Sequence, residues 1–189
     1  CDFSKDIVRL PFAIHELARL PPVGAGVDPE SGRPLSGDGR QEGLVERVFY
    51  DGTITTPDAF LQMMKFNQIS LFVIEFRGEI AGCCWLNNFA SRRGEFHFCF
   101  FDNLRGQDAV GVGRDVVCDL LYMEDSAGNP IFDLLFGMTE VANKPAEFWC
   151  RKMGFEYLGI IPSVLWNANL KKSVPAHFWY VERGPYGRQ

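Results

Sequence analysis

The sequence predicts an α/β domain, and three features of its second half carry that prediction. Three apolar segments, Ser70–Phe76 and residues 80–86 and 95–101, are separated by short turns and indicate an antiparallel meander of strands. A glycine-bearing turn then leads into a predicted helix over residues 108–122, and residues 131–138 follow as a strand. A meander followed by alternating helix and strand is typical of a sheet flanked by helices.

The first half of the chain gives weaker signals and one clear helix. Residues 7–10 and 44–50 are predicted as short strands, and residues 21–43 are dense in Gly, Pro, Ser and Asp, as in a long loop. Thr56 and Pro57 suit the N-cap and the first turn of a helix. We therefore divide the chain into an N-terminal segment, residues 1–50, that packs on a main domain of residues 51–189.

The end of the chain predicts one more helix and two more strands. Residues 131–138 contain few polar side chains, as a strand covered on both faces should. The next helix, over residues 144–153, ends at Gly154, a natural helix C-terminus. Residues 155–161 and 177–181 are predicted as the final strands.

Composition limits the classes of protein to consider. The 189 residues are 47% hydrophobic and carry a net charge of −5, so they can bury a core and do not favour nucleic-acid binding. The sequence contains no run of 18 apolar residues, so it predicts no membrane span. Most cysteines lie inside apolar strand or helix patterns without a Cys-x-x-Cys pair. We therefore expect free thiols, no metal site and a cytoplasmic location.

Residues 105–114 read Arg-Gly-Gln-Asp-Ala-Val-Gly-Val-Gly-Arg and predict an anion site at a helix start. Gly106, Gly111 and Gly113 would let backbone N–H groups approach phosphate oxygens without Cβ interference. Arg105 and Arg114 could add charge-assisted hydrogen bonds. The alternative is an ordinary glycine-containing loop and helix start, since a single Gly-x-Gly is a weak signal.

The predicted strand over residues 95–101 presents two chemically different faces. Glu95, His97 and Cys99 share one face because side chains alternate along a strand, and three phenylalanines occupy the other. A carboxylate or an imidazole beside a cleft could act as a general base, directly or through a water. The alternatives are a solvated strand end for Glu95 and a half-buried structural imidazole for His97.

The order of these features resembles the GCN5-related N-acetyltransferase (GNAT) superfamily over roughly residues 70–181. The features are the meander, the glycine-bearing helix start, the apolar strand, the turn at Asn143 and the segment Met153-Gly154-Phe155. The sequence is also similar to GNAT-like sequences found in phages and prophages. The resemblance implies an α/β fold with a mixed, mostly antiparallel twisted sheet flanked by helices, and acetyl-CoA bound where two central strands diverge.

The resemblance also implies a reaction and a set of coenzyme contacts. The reaction is transfer of the acetyl group from acetyl-CoA to the amine of a small molecule or peptide. Gly111 and Gly113 match the family's phosphate-binding glycines, and Asn143 matches an asparagine that contacts the pantetheine arm. The backbone near Phe98 and Cys99 is implied to bond the same arm, at a strand bulge.

Two residues depart from the family's pattern. Asp108 stands where the family has Arg or Gln, so Arg105 or Gln107 could fill that role only in a shifted loop. Cys150 stands where the family has a tyrosine that protonates the departing thiolate. Its thiol is therefore the candidate acid, and the alternative role of Cys150 is helix packing. These departures leave open an alternative, a catalytically silent GNAT-like binding or structural module such as one in a phage particle. The oligomeric state is also open, a homodimer included.

Overall fold

The computed structural model describes residues 7–8, 48–101 and 103–184. The predicted loop 21–43 lies outside the described residues, as does nearly all of the predicted N-terminal segment. The strands are β1 Ile7–Val8, β2 Ser70–Phe76, β3 Glu79–Ala90, β4 Arg93–Phe100, β5 Leu134–Glu140, β6 Glu156–Asn167 and β7 Lys172–Glu182. The helices are α1 Pro57–Met63, α2 Gly106–Leu121 and α3 Lys144–Lys152.

The seven described strands form one mixed, mostly antiparallel sheet with the order β1-β2-β3-β4-β5-β7-β6. Strands β4 and β5 are the parallel pair, and α2 is the crossover between them. Each of the other neighbouring pairs is antiparallel. The predicted α/β fold class and the meander β2-β3-β4 are therefore confirmed.

The parallel pair β4–β5 is short compared with the strands that form it. Only three residue pairs align, Arg93 with Leu134, Gly94 with Leu135 and Glu95 with Phe136. Both strands continue beyond these pairs, to Phe100 and Glu140. The middle of the sheet therefore opens towards the carboxyl ends of β4 and β5.

The main core lies between the sheet and the buried stripe of α2. Ala109, Val112, Val116 and Leu120 recur three and four residues apart, so they face the same side of the helix. They belong to one buried cluster with the phenylalanine face of β4. We call this side of the sheet the α2/α3 face. A smaller cluster under α1, formed by Met64, Cys83 and Trp85, covers the opposite side, which we call the α1 face.

Local signals predicted the helix ends well. The Thr56 hydroxyl accepts a hydrogen bond from the Ala59 N–H at 3.2 Å, as expected of an N-cap. Gly154 follows α3 with a φ of 88°, a conformation that glycine adopts without strain. None of the helices in the described part of the chain is long and apolar enough to cross a membrane.

Four predicted strands differ from the structure. Val48–Tyr50 is not a strand: the chain turns there and is anchored by a hydrogen bond from the Ala168 N–H to the Tyr50 carbonyl. Strand β5 begins at Leu134, because pairing with β4 starts there and the Ile131 N–H bonds the Met123 carbonyl instead. Strands β6 and β7 are longer than predicted, because they extend together as a hairpin with two register shifts.

We predict opposite stability effects for alanine at two glycines of α2. A Cβ at Gly113 would lie 2.5 Å from the Met153 sulfur, whereas a Cβ at Gly111 would meet nothing within 4 Å. Gly113→Ala should therefore lower the free energy of unfolding by about 1–3 kcal/mol through overpacking. Gly111→Ala should raise it by about 0.5–1 kcal/mol, because alanine is the better helix former. Urea unfolding measures both, and equal effects would contradict this description of the α2–α3 contact.

Candidate active site

A cleft of about 260 Å³ lies where β4 and β5 separate. Its lining comes from both faces of the sheet, so the cleft passes between the two strands. Phe96, Phe98 and Phe100 line it on the α2/α3 face, together with Trp149 and Cys150 of α3. Tyr50, Trp85, Glu95, His97 and Glu140 are also in the lining. The cleft therefore joins an apolar chamber to a polar one.

The apolar chamber is a row of aromatic rings. The Phe96 and Phe98 ring centroids are 5.7 Å apart, those of Phe98 and Phe100 are 5.5 Å apart, and the Trp149 ring meets Phe100 edge-on at 6.1 Å. Contacts of this kind hold the rings in place beyond the effect of burial alone. Such a wall suits an extended, uncharged part of a ligand.

The backbone of β4 offers hydrogen-bonding groups to the same cleft. The Phe101 N–H bonds the Ala81 carbonyl of β3, so alternate residues of β4 point their backbone groups at β3. The Cys99 carbonyl points that way, against Gly82, whereas the Phe96 carbonyl lies on the β5 side, 3.0 Å from a Cβ built on Gly137. By this alternation the N–H and C=O of Phe98 face the cleft.

The resemblance implied a bulge near Phe98 and Cys99, and the structure corrects this expectation. The β3–β4 register is continuous from Gly82–Phe100 to Asn87–Glu95 and shifts only beyond Asn87. The cleft opens because β5 leaves β4 after three residue pairs, and no extra residue in β4 is needed. Phe98 and Cys99 both line the cleft, but their backbone groups point to opposite neighbours.

Glu95 and His97 do lie together, as strand alternation predicted. Glu95 Oε1 and His97 Nε2 are 3.9 Å apart, and the Glu95 residue is only 8% exposed. The Asn88 amide donates a hydrogen bond to the other carboxylate oxygen of Glu95. The His97 ring stacks on Trp85 with centroids 5.0 Å apart and planes 5° from parallel.

Burial is the main influence on the protonation of His97. Removal from water lowers the pKa of the imidazole below its ordinary value of 6.5, and the negative charge of Glu95 acts in the opposite direction without reversing the shift. The ring is therefore neutral at neutral pH. A neutral imidazole beside a cleft can accept a proton.

Tyr50 and Glu140 complete the polar chamber. Burial raises the pKa of the Tyr50 phenol far above its ordinary value, and Asp51, Glu95 and Glu140 add to the shift, so the hydroxyl keeps its proton. The Glu140 carboxylate accepts a hydrogen bond from the buried Asn167 amide at 3.1 Å. Glu140 is the last residue of β5, whose carboxyl end borders the cleft. Sequence reasoning missed Tyr50, because its segment carries no motif and was predicted as a strand.

The start of α2 differs from its predicted geometry. Arg105 is the N-cap residue, and Gly106 turns the chain into the helix with a φ of 63°. The first helical hydrogen bond runs from the Ala109 N–H to the Arg105 carbonyl, so the N–H groups of residues 106–108 have no partner within the helix. Residues 105–114 do not appear in the cleft lining, which reaches only Phe100 on this side.

Gly111, Gly113 and Arg114 lie inside α2, as the predicted helix over residues 108–122 requires, and their contacts with a pyrophosphate stay a prediction. Both glycines are helical residues, so their N–H groups take part in the hydrogen bonding of α2. Gly113 packs against Met153, the residue that caps the C-terminus of α3. The Arg114 guanidinium donates to the Lys152 carbonyl at 2.8 Å, so it caps the end of α3. Arg105 lies immediately before the helix start, where the shifted-loop alternative needs it, and the choice between the two alternatives stays a prediction.

Asn143 and Cys150 hold α3 at the edge of the cleft. The Asn143 side chain caps α3 by accepting the Ala146 N–H at 3.2 Å, and it also lines the cleft. Burial raises the pKa of the Cys150 thiol to about 12. A thiol of that pKa is a weaker acid than an ordinary thiol, so it is poorly suited to protonating a departing thiolate. Among the described residues no group of three or more His, Cys, Asp or Glu side chains could hold a metal ion.

The structure is similar to solved acetyltransferases. The microcin C7 self-immunity acetyltransferase MccE, solved with acetyl-CoA and AMP, matches at a TM-score of 0.55 and 14% identity, over 74% of this chain and 83% of that one. The spermidine N-acetyltransferase of Vibrio cholerae, solved with CoA and spermine, matches at a TM-score of 0.56 and 15% identity, over 75% and 84%. At these identities the likeness shows the fold, which is the predicted GNAT fold.

No protein-family model matches the sequence, and no curated protein is significantly similar to it. The similarity to the solved acetyltransferases is therefore one of fold.

We predict that His97 makes the protein less stable in mild acid. Its pKa is lower in the folded state than the ordinary 6.5, so the unfolded chain binds the proton more readily. The stability that neutral His97 contributes should be fully present above pH about 6.5. It should be lost as the pH falls towards the pKa of His97 in the folded protein. Melting temperatures of wild type and His97→Asn between pH 5 and pH 8 measure this. Identical slopes in the two proteins would contradict a half-buried, neutral His97.

We predict that Asn143→Ala lowers the free energy of unfolding by about 1 kcal/mol, since the N-cap of α3 is lost. Asn143→Asp, which keeps an acceptor at the cap, should retain most of that stability. Thermal unfolding with and without CoA separates capping from ligand contact. A variant that melts like wild type in the absence of CoA would show that the cap contributes nothing.

Proposed function

We propose that the protein is an acetyl-CoA-dependent N-acetyltransferase that acetylates an amine. The observation that carries this proposal is the cleft between β4 and β5, which joins an apolar chamber to one lined by Glu95, His97 and Tyr50. The GNAT fold supports the proposal, and so do the CoA and acetyl-CoA that the solved neighbours contain. Under this proposal the thioester lies between the two strands.

The coenzyme would enter from the α2/α3 face. An extended pantetheine arm could pair with the backbone of Phe98, whose hydrogen-bonding groups face the cleft where β5 has moved away. The aromatic row along β4 would cover the apolar part of the arm. The N–H groups of residues 106–108, which have no partner within the helix, lie next to Arg105. They would then receive the pyrophosphate, because a helix N-terminus favours anions.

The acceptor amine would enter the polar chamber. An ammonium group is attracted by the carboxylates of Glu95 and Glu140, but its nitrogen must lose a proton before it can attack a carbonyl carbon. Neutral His97 or Glu95 would take that proton. The new C–N bond forms as the C–S bond of the thioester breaks, and the thiolate leaves with a proton taken from water, because the Cys150 thiol is too weak an acid.

Two residues favour the alternative, a GNAT-like module that binds without turnover. Asp108 places a carboxylate in the first turn of α2, where a phosphate would bind, although Arg77 lies 3.4 Å from it. Cys150 stands where the family has its proton-donating tyrosine, and burial raises the pKa of the thiol to about 12. Turnover of acetyl-CoA distinguishes the two functions, since a binding module would hold the coenzyme and leave its thioester intact.

The test is acetyl transfer to a panel of amines. The panel should contain spermidine, a simple monoamine and a short peptide with a free N-terminus, with CoA release and acetylated product both measured. We expect Glu95→Gln or His97→Asn to lower kcat by about 10²-fold or more, the usual contribution of a general base. Glu79→Gln, an exposed carboxylate in the β2–β3 turn region, is the matched control. Unchanged kcat in both cleft variants would show that the base acts from elsewhere, with Glu140 as the next residue to test.

We predict that Asp108→Asn tightens CoA binding about two- to fivefold, because it removes a negative charge from a helix N-terminus. Asp58→Asn in the first turn of α1 is a matched control and should leave the affinity unchanged. Isothermal titration calorimetry with CoA measures both. Weaker binding by the Asp108 variant would contradict placement of the pyrophosphate at the start of α2.

A further inference from the structure

Strand β3 presents two consecutive asparagines to the two candidate bases of β4. Trp85 lies directly across from His97 in the antiparallel register, and Asn87 lies across from Glu95. The Asn87 amide oxygen is 3.2 Å from His97 Nε2, and the Asn88 amide bonds Glu95. Each candidate base therefore has an amide partner on the neighbouring strand.

A regular strand could not supply both amides. Successive side chains of a strand point to opposite faces, so only one of Asn87 and Asn88 would reach the α1 face. Asn88 has a φ of 49°, and the register with β4 shifts between Asn87 and Ala90. This irregularity in β3 places the Asn88 amide within hydrogen-bonding distance of Glu95.

The backbone conformation at Asn88 indicates that this arrangement has a role beyond packing. A left-handed conformation costs energy for residues with a Cβ, and asparagine is among the few that tolerate it. Such strained positions persist where the surrounding structure requires them, and they are concentrated at functional sites. Here the consequence of the strain is a hydrogen bond to a carboxylate that is only 8% exposed.

We propose, on the premise of the proposed function, that Asn87 and Asn88 are positioning residues that orient His97 and Glu95 for proton transfer from the acceptor amine. Neither amide needs to touch the substrate. Asn87 would select the tautomer of the imidazole, and Asn88 would hold the carboxylate towards the cleft.

The tautomer follows from the chemistry of the amide oxygen. A carboxamide oxygen only accepts hydrogen bonds, so His97 Nε2 must carry the proton that the contact with Asn87 uses. The neighbouring Glu95 carboxylate, 3.9 Å from the same nitrogen, favours the same assignment. His97 Nδ1 is then the unprotonated nitrogen, and it is the atom that would receive the proton.

Other titratable groups surround this pair and bear on any pH test. Cys99 on β4, Tyr50 before α1 and Glu140 on β5 line the same cleft, and Cys83 on β3 lies across from Cys99. Burial raises the pKa of Cys99 to about 12 and shifts those of Cys83 and Tyr50 upward as well. These three groups therefore stay neutral through the range in which the imidazole titrates.

The first experiment reads the imidazole directly and needs no acceptor. Long-range ¹H–¹⁵N spectra of the folded protein report the tautomer and titration of His97, whose signals are assigned by their loss in His97→Asn. We expect the Nε2–H tautomer in wild type. The titration midpoint should rise by about one pH unit or more in Asn87→Asp, where an opposite charge is added beside the ring. It should fall in Asn87→Ala, where the cation loses an acceptor.

Control and contrary results are equally clear in these spectra. Asn129→Ala removes an asparagine whose hydrogen bonds lie in the distant turn with Asp125, so it should leave the His97 titration unchanged even if it lowers stability. An Nδ1–H tautomer in wild type would overturn the role of Asn87. One midpoint shared by wild type and both Asn87 variants would overturn it too.

The second experiment separates the Asn88 amide from the backbone conformation that it adopts. Asn88→Gly keeps the left-handed backbone and removes the amide, whereas Asn88→Ala removes the amide and disfavours the backbone. We expect the glycine variant to melt close to wild type and to lose about tenfold in kcat with an unchanged KM for acetyl-CoA. A glycine variant with wild-type kcat would overturn the role of Asn88.

These outcomes can be distinguished from a failure of the proposed function. If wild type shows no acetyl transfer to the panel, the proposed function fails, and the positioning roles fail with it. The spectra would still show whether Asn87 controls the imidazole. If wild type does transfer and the Asn87 and Asn88 variants match it in both pH profile and kcat, the positioning roles alone are wrong.

Discussion

The separation of β4 from β5 is the constraint on which the rest of the structure depends. Parallel pairing ends after Glu95 and Phe136, although both strands continue. Buried backbone N–H and C=O groups need hydrogen-bond partners, so a strand that loses its neighbouring strand needs new ones. A ligand that supplies those partners binds more tightly. The gap would be unfavourable in a protein whose sheet served only to support its core.

The two faces of the gap are prepared for different chemistry. On the α2/α3 face, aromatic rings and the packed α2–α3 contact at Gly113 and Met153 make a rigid apolar wall. On the α1 face, Trp85 fixes the imidazole of His97, and burial keeps it neutral. Because the strands diverge between these faces, a reaction that joins an extended thioester to a polar amine could occur across the sheet.

The sequence predicted the fold class, the meander and most helix ends, because those depend on local periodicity and capping at residues such as Thr56 and Gly154. It also placed Glu95 and His97 on one face. It could not predict Tyr50 or the amide contacts of Asn87 and Asn88, since these depend on cross-strand register and on a positive φ. The packing of Gly113 against Met153 was also beyond the sequence signals, because the two residues are distant in the chain. The amine acceptor, the phage similarity and the cytoplasmic location stay predictions.

The most direct test of the central claim is calorimetric titration of acetyl-CoA into wild type and two matched alanine-to-tryptophan variants. Ala146 lines the cleft at the start of α3, whereas Ala142 is exposed in the turn before it and outside the cleft lining. We predict that wild type and Ala142→Trp bind equally, and that Ala146→Trp binds about tenfold more weakly or worse, a loss of about 1.4 kcal/mol. Equal affinity in all three folded proteins, or no binding by wild type at millimolar acetyl-CoA, would contradict a coenzyme cleft between β4 and β5.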